Sequence, residues 1–183
     1  ATFITTPIIF DVGSYEGAFG LTHNSLPFIG PGLHTVDMVP GTQYNITVGS
    51  YHRATDIIVH ANGNVTSLRP TSMTADGSNN VVKFLTTPVT FDVDLYSGGW
   101  SPKWASAAAA TGIQVFFGPK IVNLVLDGNY EIVCGHPHSS FHSSIINVDA
   151  NGIVTSQKPT SMTTTGTDNI VKFLTTPVKF DAS

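Results

Sequence analysis

Apolar and polar residues alternate with a period of two along much of this 183-residue chain, the pattern of strands that bury one face. Leu85, Thr87, Val89, Phe91 and Val93 fall on one side of an extended segment, and Ile4, Thr6, Ile8, Phe10 and Val12 do the same near the N-terminus. Both sides are predicted to face a core. Residues 57–61 and 64–68 flank Asn62-Gly63, the dipeptide preferred by a two-residue type I′ turn, so this stretch reads as a hairpin. That turn would place Ile57, Val59, Thr66 and Leu68 inward and His60 outward. A second hairpin follows around Asn151-Gly152, with Ile146, Val148, Thr155 and Gln157 in the corresponding places. Further strands are predicted at 34–39, 44–49, 113–117, 120–126 and 130–134.

The pattern also repeats. Val65-Thr-Ser-Leu-Arg-Pro-Thr-Ser-Met73 returns as Val154-Thr-Ser-Gln-Lys-Pro-Thr-Ser-Met162, and Val82-Lys-Phe-Leu-Thr-Thr-Pro-Val89 returns as Val171-Lys-Phe-Leu-Thr-Thr-Pro-Val178, both at an offset of 89. One shared offset means a tandem duplication. The predicted fold is all-β, with two pseudo-equivalent sandwich-like halves over residues 1–81 and 82–183. A third copy of the proline segment, Phe3-Ile-Thr-Thr-Pro-Ile-Ile-Phe-Asp11, precedes both halves. Pro7, Pro88 and Pro177 each remove a ladder donor, which predicts an edge strand or one that breaks at the proline and passes from one sheet to another. The middle copy would then close the first half and open the second, interlocking them. A free strand edge would invite a homodimer by strand addition.

Composition narrows the function. The chain is 41% hydrophobic and only 11% charged, with a net charge of −4 and eight scattered Lys and Arg, so it lacks the basic stripe of a nucleic-acid binder. No apolar run reaches the roughly 20 residues of a membrane span. Cys134 is the one cysteine and reads as a structural thiol. Asn45-Ile-Thr47 and Asn64-Val-Thr66 are glycosylation sequons.

Chemistry is sought where the copies diverge. After a shared Phe-Asp-Val, the first copy reads Gly13-Ser-Tyr15-Glu-Gly17-Ala-Phe19 and the second Asp94-Leu-Tyr96-Ser-Gly98-Gly-Trp100. The second then gains Ser101-Pro-Lys-Trp104 and a run of alanines up to Gly112, which predicts one short helix starting at Pro102. Trp100 and Trp104, with Tyr96 and Phe141, are candidates for an aromatic wall around a ligand, although the plainer reading of the tryptophans is that they anchor the helix to the sheet. The second divergence is Gly135-His136-Pro-His138-Ser-Ser-Phe-His142, against Gly49-Ser-Tyr-His52 in the first copy. In extended chain His136 and His138 point the same way and a turn at Ser139-Ser140 would return His142, so these imidazoles, with His52 at the equivalent place, are candidate ligands for a divalent metal. Asp11, Asp92 and Asp181 end the three copies as turn formers or carboxylates for a harder cation. No catalytic motif is found, so a non-enzymatic protein is expected.

The repeated Leu85-Thr-Thr-Pro-Val-x-Phe-Asp92 strand, the His136-Pro-His138 loop and the Trp-bearing insertion match no broadly distributed motif; over its whole length, rather than through any one signature, the chain resembles mushroom fruiting-body proteins, the pink chromoproteins of oyster mushrooms in particular. That resemblance implies non-covalent binding of a polyene-like apolar pigment with a polar end, and transfers no functional residue. The alternative reading is a lectin with one site per repeat, with Tyr15, Tyr96, Trp100 or Trp104 stacking on sugars. A structural or storage protein without a specific ligand is the third.

Overall fold

The computed structural model describes residues 4–15, 19–21, 32–48, 53–68, 70, 72–104, 116–134, 143–157, 162–165 and 168–179. These residues form strands in two sets of eight. The first module contains β1 (Thr6–Asp11), β2 (Phe19–Leu21), β3 (Leu33–Met38), β4 (Thr42–Val48), β5 (Arg53–Val59), β6 (Val65–Ser67), β7 (Met73–Thr74) and β8 (Val81–Phe84). The second contains β9 (Thr86–Asp92), β10 (Trp100–Trp104), β11 (Lys120–Val125), β12 (Gly128–Cys134), β13 (Ser143–Val148), β14 (Val154–Ser156), β15 (Met162–Thr165) and β16 (Ile170–Phe173). Sheet orders match strand for strand: β3-β1-β8-β7 and β2-β4-β5-β6 in the first module, β11-β9-β16-β15 and β10-β12-β13-β14 in the second. Each module closes both of its sheets on one core, so the protein is all-β and sandwich-like.

The alternation predicted for the proline segment is borne out over its second half, where Ile8, Phe10, Val89 and Phe91 are fully buried. Ile4, on the same side in sequence, is 83% exposed because it precedes β1. Neither proline lies on an edge strand, since β1 and β9 are interior. The ladder tolerates Pro7 because of where its missing donor falls. The Ile9 N–H reaches the Asn80 carbonyl at 2.9 Å on the β8 side, so an N–H two residues earlier would point beyond the start of β8. Asn80 Nδ2 donates to the Pro7 carbonyl instead, at 2.7 Å. Thr90 and Asn169 repeat the first arrangement at 2.9 Å beside Pro88. The strand does not break at Pro88, which lies inside β9; the change of sheet comes three residues earlier, at Leu85 between β8 and β9, and the module boundary falls there rather than at 81/82.

Both hairpins form, but their register differs from the predicted one. Val59 pairs with Val65 and Ile57 with Ser67, and likewise Val148 with Val154 and Ile146 with Ser156. The loops are therefore three residues, 61–63 and 150–152, each closed by a glycine N–H donating to the His60 or Asp149 carbonyl and ending in that glycine at φ +85° or +82°. A type I turn followed by a left-handed glycine uses one more residue than type I′. That residue puts Val65 and Val154 in the core in place of Thr66 and Thr155. Gly63 and Gly152 also lie against the threonine of the Thr-Pro segment: a Cβ would stand 2.9 Å from Thr6 Oγ1 and 3.0 Å from Thr87 Oγ1.

The predicted helix does not begin at Pro102, which lies inside β10, opposite Ile132 of β12. β10 is an edge strand, and the Trp100 N–H points outward to the Phe116 carbonyl at 2.9 Å. Pro102 would direct an N–H to the same open side, so no bond to β12 is lost. The alanine run lies outside the described residues.

Candidate functional site

Equivalent residues show where the second module has grown. Their offset is 81 between Phe19 and Trp100, which face Val48 and Cys134, but 86 between Asp37 and Asn123, which face Pro7 and Pro88. It is 89 between Ile57 and Ile146. Five residues are thus inserted between β10 and β11, and three between β12 and β13. These are the connections that carry the alanine run and the histidines.

The topology attaches both insertions to one corner. Phe116, in the connection that carries the first insertion, bridges Trp100, and Trp100 pairs with Cys134, the last residue of β12, from which the connection carrying the second insertion departs. Val133 then pairs with Ser143, the residue at which the histidine loop re-enters the sheet. Phe116, Trp100 and Cys134 thus form a row across the second module, with the 135–142 connection leaving from it. Trp104 sits at the other end of β10, opposite Tyr130, about 13 Å away at roughly 3.3 Å per residue.

Trp100 is a core residue, 1% exposed. Its ring lies 4.5 Å from Phe91, 5.2 Å from Phe116 and 5.9 Å from Phe173 between centroids, and its Nε1–H donates to the Gly118 carbonyl at 3.0 Å. Of the wall and anchor readings, its surroundings are those of an anchor. Tyr96 turns back over Gly98, donates to the Gly99 carbonyl at 3.2 Å and lies 6.0 Å from Phe173. Tyr15 and Phe84 make the equivalent pair in the first module at 6.4 Å, so Tyr96 occupies a position shared by both modules. The side chain of Trp104, and Phe141, His52, His136, His138 and His142 altogether, lie outside the described residues. Among the described residues no group of three metal-binding side chains occurs.

A feature that periodicity does not reveal is Ser144. It lies on the core side opposite Ile132, is 1% exposed, and its Oγ has no hydrogen-bond partner among the described residues. A buried hydroxyl left unpaired costs about 1–3 kcal/mol. It stands one residue inside the end of the histidine loop. Cys134 lies on the same side of the sheet and packs against the core, and burial pushes its thiol up from 9.0 to about 11. Tyr15 and Tyr130 are also raised, first by desolvation. Because the folded values exceed the unfolded ones, the Cys134 contribution is intact below about pH 9 and is lost as pH rises to about 11, with the tyrosines adding to the loss above about pH 10. Stability measured by urea titration is therefore expected to fall from pH 8 to 11, and Cys134→Ala should remove the earliest part of that fall.

The acidic ends of the repeated strands serve turns. Asp11 and Asp92 each accept the backbone N–H two residues on, both at 3.1 Å. At the sequons, Asn45 Nδ2 donates to Asp56 Oδ1 at 2.8 Å and Asn64 Nδ2 to the Gly77 carbonyl at 2.7 Å, so the nitrogens a glycan would occupy are engaged within the fold. No helix among the described residues is long and apolar enough to cross a membrane.

No family model matches the sequence, and no curated protein matches it. A solved structure, the pilus adhesin of Lactobacillus rhamnosus GG, is similar over 92% of this chain and 30% of that one, at 12% identity and a TM-score of 0.33. The chain thus spans less than a third of the adhesin's length, and a likeness at this level carries no argument about function.

Proposed function

We propose that the chain is a non-enzymatic protein that binds one small apolar ligand, a polyene-like pigment, at the inserted loops of the second module, with His136, His138 and His142 holding a divalent metal ion near the ligand's polar end. The observation that carries this reading is the convergence of both inserted connections on the Phe116–Trp100–Cys134 row, beside the Ser144 hydroxyl, which has no partner among the described residues. A scaffold requires nothing there that the first module lacks. A histidine loop at one end of β10 and Trp104 at the other suit an elongated molecule with chemically different ends. The resemblance to fruiting-body chromoproteins points to the same ligand class. A lectin with one site per module would require the first module to reproduce the site without the inserted residues.

The test is spectroscopic and elemental. Protein purified from its natural source is expected to absorb in the visible and to retain a divalent ion after dialysis, and His136→Ala/His138→Ala should lose the ion. Trp104→Ala should weaken the extracted pigment by about 1–3 kcal/mol. A colourless, metal-free natural protein that binds monosaccharides would replace this reading with the lectin.

A further inference from the structure

Among the described residues, the last copy of the proline strand, the one that begins at Phe173, enters no sheet beyond β16, although the Thr175 hydroxyl donates to Asp94 Oδ2 at 2.9 Å. Residues 174–179 follow β16 outside any strand. Leu174 is 48% and Val178 68% exposed, whereas Ile8 and Val89, the counterparts of Val178, are fully buried. The structure shows twice what this sequence does when it has neighbours. β1 lies between β3, antiparallel, and β8, parallel, and β9 lies in the same way between β11 and β16. In each case Thr6 or Thr87 meets the hairpin glycine, and the proline falls where no donor is required.

We propose that residues 174–179 are a strand donor to a second copy of the chain, entering the slot between β3 and β8 of its first module in place of that copy's β1. Val178 would take the position of Ile8 opposite Val36, Pro177 that of Pro7 opposite Asp37, and Thr176 that of Thr6 against Gly63. Lys179 would replace Ile9, which is only partly buried. The contact is head-to-tail rather than two-fold, so it propagates into open chains of copies. Each junction would repeat the one inside the chain, where Leu85 donates to the Ser72 carbonyl and accepts from the Leu126 N–H, both at 2.9 Å. One bond of that junction cannot be copied. Pro40 stands where Leu126 does, one residue past the carbonyl that accepts the Tyr44 or Tyr130 hydroxyl, and has no N–H to give. The junction between copies is therefore weaker than the internal one, and it must compete with a resident β1 of the same type.

The experiment weakens the resident strand and reads mass by light scattering on chain 1–183. Ile8→Asp, which makes β1 a poor occupant, is expected to shift the chain from monomer to concentration-dependent oligomers, and adding Val178→Asp should return it to monomer. Val178→Asp alone, at an exposed position, should leave the denaturation midpoint where wild type has it. Independently of whether Ile8→Asp folds, Val36→Cys/Val178→Cys in a Cys134→Ser background should give a ladder of disulfide-linked multimers that neither new cysteine gives alone. Oligomers of Ile8→Asp that survive Val178→Asp would overturn the proposal. So would a monomeric Ile8→Asp together with an absent ladder.

Discussion

Trp100→Ala should lower the unfolding free energy by about 3–5 kcal/mol and the melting temperature by on the order of 10 °C. The indole is enclosed by Phe91, Phe116 and Phe173, from two faces of one core, and its removal leaves a cavity that the surrounding strands are too well paired to close. It also strips the Gly118 carbonyl of its indole donor. Trp100→Phe keeps most of the apolar contact and should recover more than half of the loss. Denaturant titration of the three proteins decides the matter: a Trp100→Ala chain as stable as wild type would mean that the ring contributes nothing to packing.

A second large effect is expected at Val125, and its location is the informative part. Val125 ends β11 in the second module yet is fully buried in the first module's core, while its neighbour Leu124 points to the second. Successive strand residues face opposite sides, so the end of β11 is a wall common to both modules. Val125→Asp would bury an unpaired charge and should cost more than about 4 kcal/mol. Hydrogen exchange should then show faster amides in β1 and β8 of the first module, as well as in β11. The shared strand passing through Leu85, the Ser72 Oγ bond to the Leu126 carbonyl at 2.9 Å and Val125 itself predict one cooperative melting transition for wild type. If Val125→Asp loosened only the second module, the two would be independent units.

Much of this architecture was legible in the chain because β-structure writes itself as a period-two pattern, and because duplication supplied an internal control. Ile8, Phe10, Val89 and Phe91 could be placed inward from alternation alone, and the offset of 89 anticipated two modules with matching hairpins. The divergent loops also stood out without coordinates. Ser144 did not, since a serine within a strand gives no sign of whether its hydroxyl will find a partner.

The class of fold and the inner face of the strands near the repeated prolines follow from local alternation, and the duplication from one offset shared by two repeats. The remaining features depend on contacts between distant segments. The hairpin register turned on one residue of loop length, which moved Val65 inward and Thr66 out. The interior placement of Pro7 and Pro88 depended on where β8 and β16 begin, a distance of many residues along the chain. Pro102 marked a helix start by local preference, yet an edge strand accepted it because its missing N–H faces away from β12. The convergence of two insertions on Trp100 is likewise a property of strand order, which arises from pairing between distant segments and leaves no trace in the local pattern.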